Sequence, residues 1–280
     1  MIKRRWRIGL ALLILVSIGG PARAQDGGDF PREVIDATGA TVIVPERPAV
    51  VAVAGAVPEL AAFFPAERVR TVDPAGEGIA WQDIGLLVMP DLIAAAYPAV
   101  IAAARAADVP VFQIGAIASL ADWRGAVERL GRATGEDDRA RAAVERLAAR
   151  LAWVGAAAAG EPVVRVLALT PEGYTFGRGA FLTELITAAG GVNVAAEAGY
   201  DDFRQVDDAA LRDLRPDVIL LSPAWDAAQI AALRAHPAAP DAVIRLPFSP
   251  TLPRDPGGAV VLLGWMLQPR ALGRAAMGRE

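Results

Sequence analysis

Met89-Pro90-Asp91-Leu92-Ile93 and Arg215-Pro216-Asp217-Val218-Ile219 are two copies of one phrase. Each follows a short helical run, interrupts it with proline, and passes through aspartate into apolar residues, which predicts the start of a buried strand after each aspartate. The flanks repeat as well. The first copy lies between an apolar run at 49–54 and a helical pattern at 99–105 followed by a strand-like 109–114. Around the second copy the same order returns as 163–169, 227–235 and 242–246. Two lobes that each alternate strand and helix predict an α/β protein made of two Rossmann-like units, with a ligand cleft between them.

The N-terminus carries Lys3, Arg4, Arg5 and Arg7, an apolar core at 8–18, Gly19-Gly20-Pro21 and the small-residue site Ala22-Arg23-Ala24. That order predicts a secretory signal peptide at 1–24, cleaved after Ala24. The apolar core is shorter than the roughly 20 residues that span a bilayer. The chain has no cysteine, so it forms neither disulfides nor a lipid-modified N-terminal cysteine, and the periplasm, without a lipid anchor, is the expected address. Removing 1–24 takes away five basic side chains and no acidic one, moving the formal charge from -4 to -9. So acidic a chain is poorly suited to nucleic acid or to anionic membrane surfaces, and it is expected to work as a monomer.

Residues 34–44 are two alternating apolar runs around Thr38-Gly39, the pattern of a hairpin. A helix is expected to begin at Glu59, just after Pro58, and a strand at 69–72. The segment from Leu120 to Val154 differs in kind: one helix from Leu120 to about Arg132, a break at Thr134-Gly135, then a second helix opened by Glu136, Asp137 and Asp138. The expected division is a first lobe at 25–119, linking helices at 120–160 and a second lobe at 161–280. A linking helix from 136 to 157 would reach roughly 30 Å, from one lobe to the other, and would hold the lobes nearly rigid.

In this order of elements the chain resembles the class III, helical-backbone periplasmic substrate-binding proteins. The resemblance rests on Asp36-Ala37-Thr38-Gly39, the strand after Arg47-Pro48, the two Pro-Asp units and the linking helix. It extends to residues 182–193, with their Gly190-Gly191-Val192-Asn193 turn, and to Pro253-Arg254-Asp255-Pro256 with the helix that follows. It implies a receptor that delivers a ferric siderophore, a cobalamin-like cobamide or haem to the permease of an ABC importer in the inner membrane. It implies no intrinsic cofactor; the metal chelate is cargo. The family also docks on its permease through an acidic residue on each lobe, usually seven positions before the Pro-Asp pair. That spacing lands on Asp83 in the first lobe and on Ala209 in the second, where the neighbouring Asp208 or Asp207 would have to substitute. Asp83 and Asp208 are equally suited to capping the helices expected after them.

Ligands of open α/β lobes sit beyond the carboxyl ends of the strands. The loops there offer Gly55-Ala56-Val57, residues 73–81 and Tyr97 in the first lobe, and residues 171–178, Trp225, Pro247-Phe248-Ser249 and Arg254 in the second. For a flat, hydrophobic chelate, Trp81, Tyr97, Tyr174 and Trp225 would supply aromatic walls, and Arg178 and Arg254 charge for its acidic groups. The same aromatic residues suit the lid of a core, and Arg178 could instead pair with Glu184. A bare zinc or manganese site draws on several His and carboxylate ligands, whereas His236 is the single histidine, beside Pro237 at a helix end, so no protein metal site is expected. Tyr97 or Tyr174 would be left to act as an axial ligand to haem.

Two other readings compete. A chelate sensor or scavenger of the same fold would need no docking carboxylates. An exported hydrolase would need an activated nucleophile, and the chain has no G-x-S-x-G elbow and no cysteine.

Overall fold

The computed structural model describes residues 30–201, 203–248, 253 and 255–277. The predicted signal peptide lies outside the described residues, as does Arg254. The fold opens with an antiparallel hairpin, β1 (Arg32–Ile35) and β2 (Thr41–Val44). Its turn is held by Asp36, whose carboxylate accepts from the Thr38 and Ala40 backbone N–H groups and the Thr38 hydroxyl.

The first lobe contains β3 (Val51–Ala54), β4 (Val69–Val72), β5 (Leu86–Pro90), α1 (Asp91–Ala96), α2 (Pro98–Ala106) and β6 (Val111–Ile114). Its four strands form a parallel sheet in the order β4-β3-β5-β6. After α3 (Leu120–Thr134) and α4 (Asp137–Ala158), the second lobe runs through β7 (Val164–Leu169), β8 (Tyr174–Thr175), α5 (Phe181–Ala188), β9 (Gly191–Asn193), α6 (Val194–Glu197) and β10 (Arg204–Gln205). It continues with α7 (Asp208–Leu214), β11 (Val218–Leu221), α8 (Ala227–Arg234), β12 (Ala242–Arg245), α9 (Pro256–Leu267) and α10 (Pro269–Met277). Its parallel sheet has the order β12-β11-β7-β9. Numbered within each lobe, both sheets therefore read 2-1-3-4, and each reverses its winding between its first and third strands.

The Pro-Asp phrase does not occupy the same place in the two lobes. In the second, Arg215 ends α7 in the left-handed conformation (φ 46°) and Pro216-Asp217 lead into β11, as expected. In the first, Pro90 ends β5 and Asp91 begins α1, so the strand precedes the proline instead of following Asp91. Leu92, expected in a buried strand, is an exposed helix residue. Proline's fixed φ suits the extended residue that closes a strand, and aspartate suits a first helical turn, so the dipeptide is equally competent at a strand's entrance and at its exit. Main-chain pairing gives the true correspondence: the Gly85 N–H donates to Val50 as the Asp217 N–H donates to Arg165, each pair lying one residue before a register pair of its sheet, Val51 with Leu86 and Val166 with Val218. A second correction concerns Glu59, which opens only a 3-10 turn at Leu60–Ala62.

Strand periodicity splits the cores. Val51, Val53, Leu86 and Val88 face the linking helices, while Ala52, Ala54, Leu87 and Met89 face the other side with Ala94, Val100 and Ala104. In the second lobe Val166, Ala168, Val218 and Leu220 join the first of these clusters, which thus runs unbroken through both sheets, α3, α4, α5 and α9. Ser119 caps α3 and Gly135 ends it at φ 72°. The 22 residues of α4 span about 33 Å. A continuous core and a stiff helix leave little freedom for wide hinge closure.

Candidate ligand-binding cleft

Gly55 turns the chain sharply at the end of β3. Its φ is +96°, and a Cβ there would meet Ile93 Cγ1 at 3.1 Å and the Pro90 ring at 3.3 Å, so glycine is needed to redirect the backbone into the cleft. The loop that follows, Ala56-Val57-Pro58, forms one wall of a cavity of about 1040 Å³. Leu60 and Phe64 continue that wall in the first lobe; Pro247, Phe248, Ala259 and Leu262 face them from the second. The cavity therefore lies between the lobes and beside the winding reversal of the first sheet, where open α/β sheets bind ligands. Among the described lining residues only Thr71 and Asp255 bring polar side chains. Asp255 caps α9 by accepting from the Gly258 N–H at 3.0 Å, and it takes two hydrogen bonds from Arg150 Nη1, at 2.6 and 2.8 Å.

Glu59 sits in the same loop but turns away from solvent, with 1% exposure and no hydrogen-bond partner for Oε1. Burial raises its pKa from 4.5 to about 7, against a smaller lowering by its own backbone N–H. It is a protonatable group beside the cleft that the sequence reading took only for a helix start.

The residues singled out from sequence are dispersed. Trp81 packs against the outer core of the first lobe, and Tyr97 is exposed at the turn between α1 and α2. Tyr174 stacks on Phe203 with centroids 5.0 Å apart and rings parallel. Arg178 pairs with Asp201 at 2.5 Å, not with Glu184, which instead accepts from the Leu120 N–H and so ties α5 to the start of α3. Trp225 is 7% exposed, and its indole N–H donates to the Leu169 carbonyl at 3.0 Å, the contacts of a second-lobe core residue. None of these five is among the residues lining the large cavity. The loops 55–57 and 247–248 do line it; Leu60, Phe64, Ala259 and Leu262 were missed, because an apolar residue on a cavity wall has the same pattern in sequence as one in a core.

Asp83 is exposed and lies 3.7 Å from Arg70; Asp208 is exposed and lies 3.4 Å from His236 Nε2. Neither is a cap: Asp207 caps α7, and Ala80 precedes the 3-10 turn that ends at Asp83. His236 also accepts from the Ala238 N–H. Among the described residues no group of three or more His, Asp or Glu is arranged to hold a metal ion.

Two like-wound lobes on a shared helical spine, with an apolar cleft between them, define a two-lobed solute-binding protein. The sequence profile of the family described as periplasmic binding protein matches residues 87–242, and the chain belongs to that family. Solved structures carry the same fold. A periplasmic solute-binding protein from Veillonella parvula is 16% identical with a TM-score of 0.67, over 89% of this chain and 91% of that one. The periplasmic haem-binding protein RhuT from Roseiflexus sp. RS-1 is 22% identical with a TM-score of 0.64, over 79% and 98%. The molybdate-binding protein MolA of Haemophilus influenzae is 14% identical with a TM-score of 0.67, over 89% and 94%. A search of curated proteins finds no match.

Proposed function

We propose that this protein is the solute receptor of an ABC importer and that its cargo is a metal chelate with a broad apolar face, a tetrapyrrole ahead of a siderophore. The observation that carries this reading is the inter-lobe cavity of about 1040 Å³, whose described lining side chains are apolar except for Thr71 and Asp255. That volume is at the upper end of small-molecule sites, and an apolar wall gains most from a large apolar ligand. Phe64 and Phe248, one from each lobe, would bracket the macrocycle. Bare molybdate or a hydrated ion would lose its hydration there without charged partners in return. The haem-binding neighbour from Roseiflexus supports the same order of candidates.

Delivery requires docking on a permease. Counted from Ile84, which is equivalent to Pro216, the seven-residue spacing falls on Glu77 and not on Asp83. Exposed Glu77 and exposed Asp208, beside Ala209, are the docking carboxylates in this reading. Export through the signal peptide predicted at 1–24 would bring the chain to the periplasm.

The test is equilibrium titration of residues 25–280 with haem, cobalamin and a panel of ferric siderophores, each beside its metal-free control. Saturable binding of a tetrapyrrole supports the reading. Saturable binding of a siderophore alone reverses the order of cargo, and binding of none overturns the chelate assignment.

A further inference from the structure

A second cavity, of about 180 Å³, adjoins the first: Ala61 and Asp255 line both. Its other walls bring together side chains that donate hydrogen bonds. Arg146 and Arg150 stand one turn apart on α4, and Trp123 reaches in from α3. Trp123 is 2% exposed, and its indole N–H has no acceptor, an omission that normally costs about 1–3 kcal/mol and calls for a missing partner. Arg150 spends only Nη1 on Asp255, and Arg146 spends only Nη2, on the Ala62 carbonyl at 3.2 Å. The Nε edge of each guanidinium carries no hydrogen bond to a described residue. Two guanidiniums thus face one described carboxylate, all three partly open to solvent, so an anion entering the cavity meets an excess of donors.

The first turn of α9 is shaped around this pair. A Cβ on Gly257 would lie 2.9 Å from Arg150 Cδ, and one on Gly258 would lie 2.6 Å from Asp255 Oδ2. Two successive glycines at a helix start, each poorer for the helix than alanine, keep open the space where Arg150 and Asp255 meet.

We infer that the smaller cavity is a carboxylate subsite of the ligand cleft: an acidic arm of the cargo enters past Asp255 and is held by the open edges of Arg150 and Arg146 and by the Trp123 indole N–H. Planar guanidinium forks match a carboxylate in two-point geometry, and an indole N–H adds a third donor of fixed direction. The inference rests on the proposed function and narrows it to chelates that bear free carboxylates. It also gives the linking helix a part in recognition besides holding the lobes.

The experiment compares ferric protoporphyrin IX with its dimethyl ester, which keeps the macrocycle and metal and loses both negative charges. Both are titrated, in the same detergent, into wild-type residues 25–280, Arg150→Gln, Trp123→Phe, and Arg141→Gln as a control on an exposed part of α4. Wild type and Arg141→Gln are expected to favour the free acid by about tenfold, the worth of one charge-assisted two-point contact. Arg150→Gln and Trp123→Phe should reduce that preference by weakening the acid alone. Equal affinity of wild type for acid and ester overturns the subsite and leaves the chelate receptor standing. A variant that weakens both forms equally assigns Arg150 to support of α9 and also overturns it. Binding of neither porphyrin removes the tetrapyrrole cargo and the subsite with it.

Discussion

Glu136 holds Arg68 at 2.7 Å from a position almost wholly withdrawn from solvent, and the same carboxylate oxygen takes a second hydrogen bond from Arg47 at 2.9 Å. Both arginines belong to the first lobe, and Glu136 is the residue that opens α4, so the contact fastens the lobe to the helix spanning the molecule. Breaking a buried pair strands its partners; since the arginines are partly solvated, Glu136→Ala is expected to cost about 2–3 kcal/mol. The control is Arg141→Ala, which removes an exposed pair with Asp138 and should cost under about 0.5 kcal/mol. Urea unfolding of both variants measures the difference.

Glu59 makes stability fall with rising pH. Its folded pKa of about 7 lies above the unfolded value of 4.5. Between those values the folded state binds more protons than the unfolded one, so the benefit is complete below pH 4.5 and is lost as pH rises through 7. The loss amounts to at most about 3 kcal/mol. Glu59→Gln, neutral at every pH, should therefore raise the melting temperature at pH 8 and leave it nearly unchanged at pH 5. Equal destabilisation at both values would mean that the ionised carboxylate is held by a partner.

At Gly131, α3 packs tightly against α4. A Cβ there would stand 2.4 Å from the Ala140 Cβ, a backbone-anchored atom that cannot swing aside. Gly131→Ala should thus destabilise by about 1–3 kcal/mol through overpacking, despite alanine's better helix propensity. Thermal unfolding of that variant beside Gly155→Ala, where a Cβ would meet nothing within 4 Å, separates packing from propensity.

Trp225 should matter for stability and not for ligand. Trp225→Phe removes its hydrogen bond to the Leu169 carbonyl, which keeps only the longer one from the Ser222 N–H at 3.3 Å, and is expected to cost about 1 kcal/mol. Chelate affinity measured well below the melting temperature should be unchanged.

The strands were legible where buried parallel strands carry unbroken apolar runs, as at 51–54, 164–169 and 218–221, and the helix pair at 120–158 because caps and acidic first turns mark its ends. The same local chemistry misled at Met89-Pro90-Asp91, since proline and aspartate serve a strand's exit as well as its entrance. Only pairing between strands fixed the register, and it is Ile84, not Pro90, that corresponds to Pro216. The cleft was least legible. Val57 and Phe64 line the cavity with Phe248 and Leu262 from far along the chain, and nothing in an apolar residue's local pattern tells a cavity wall from a core. Aromatic residues at loop edges attracted notice, yet Trp225 and Tyr174 found partners within their own lobe.

In the proposed function the inter-lobe cavity receives the chelate. Leu262 lines that cavity and is only half-buried, so Leu262→Arg can place a charge in it without emptying the core beneath. The decisive measurement is the affinity of the best-bound chelate for wild type and for Leu262→Arg at matched folded fraction. Wild type should bind saturably at one site, and the variant should lose at least about tenfold in affinity, the worth of desolvating an unpaired charge against an apolar ligand. Unchanged affinity in Leu262→Arg would place the chelate elsewhere and contradict the proposed site.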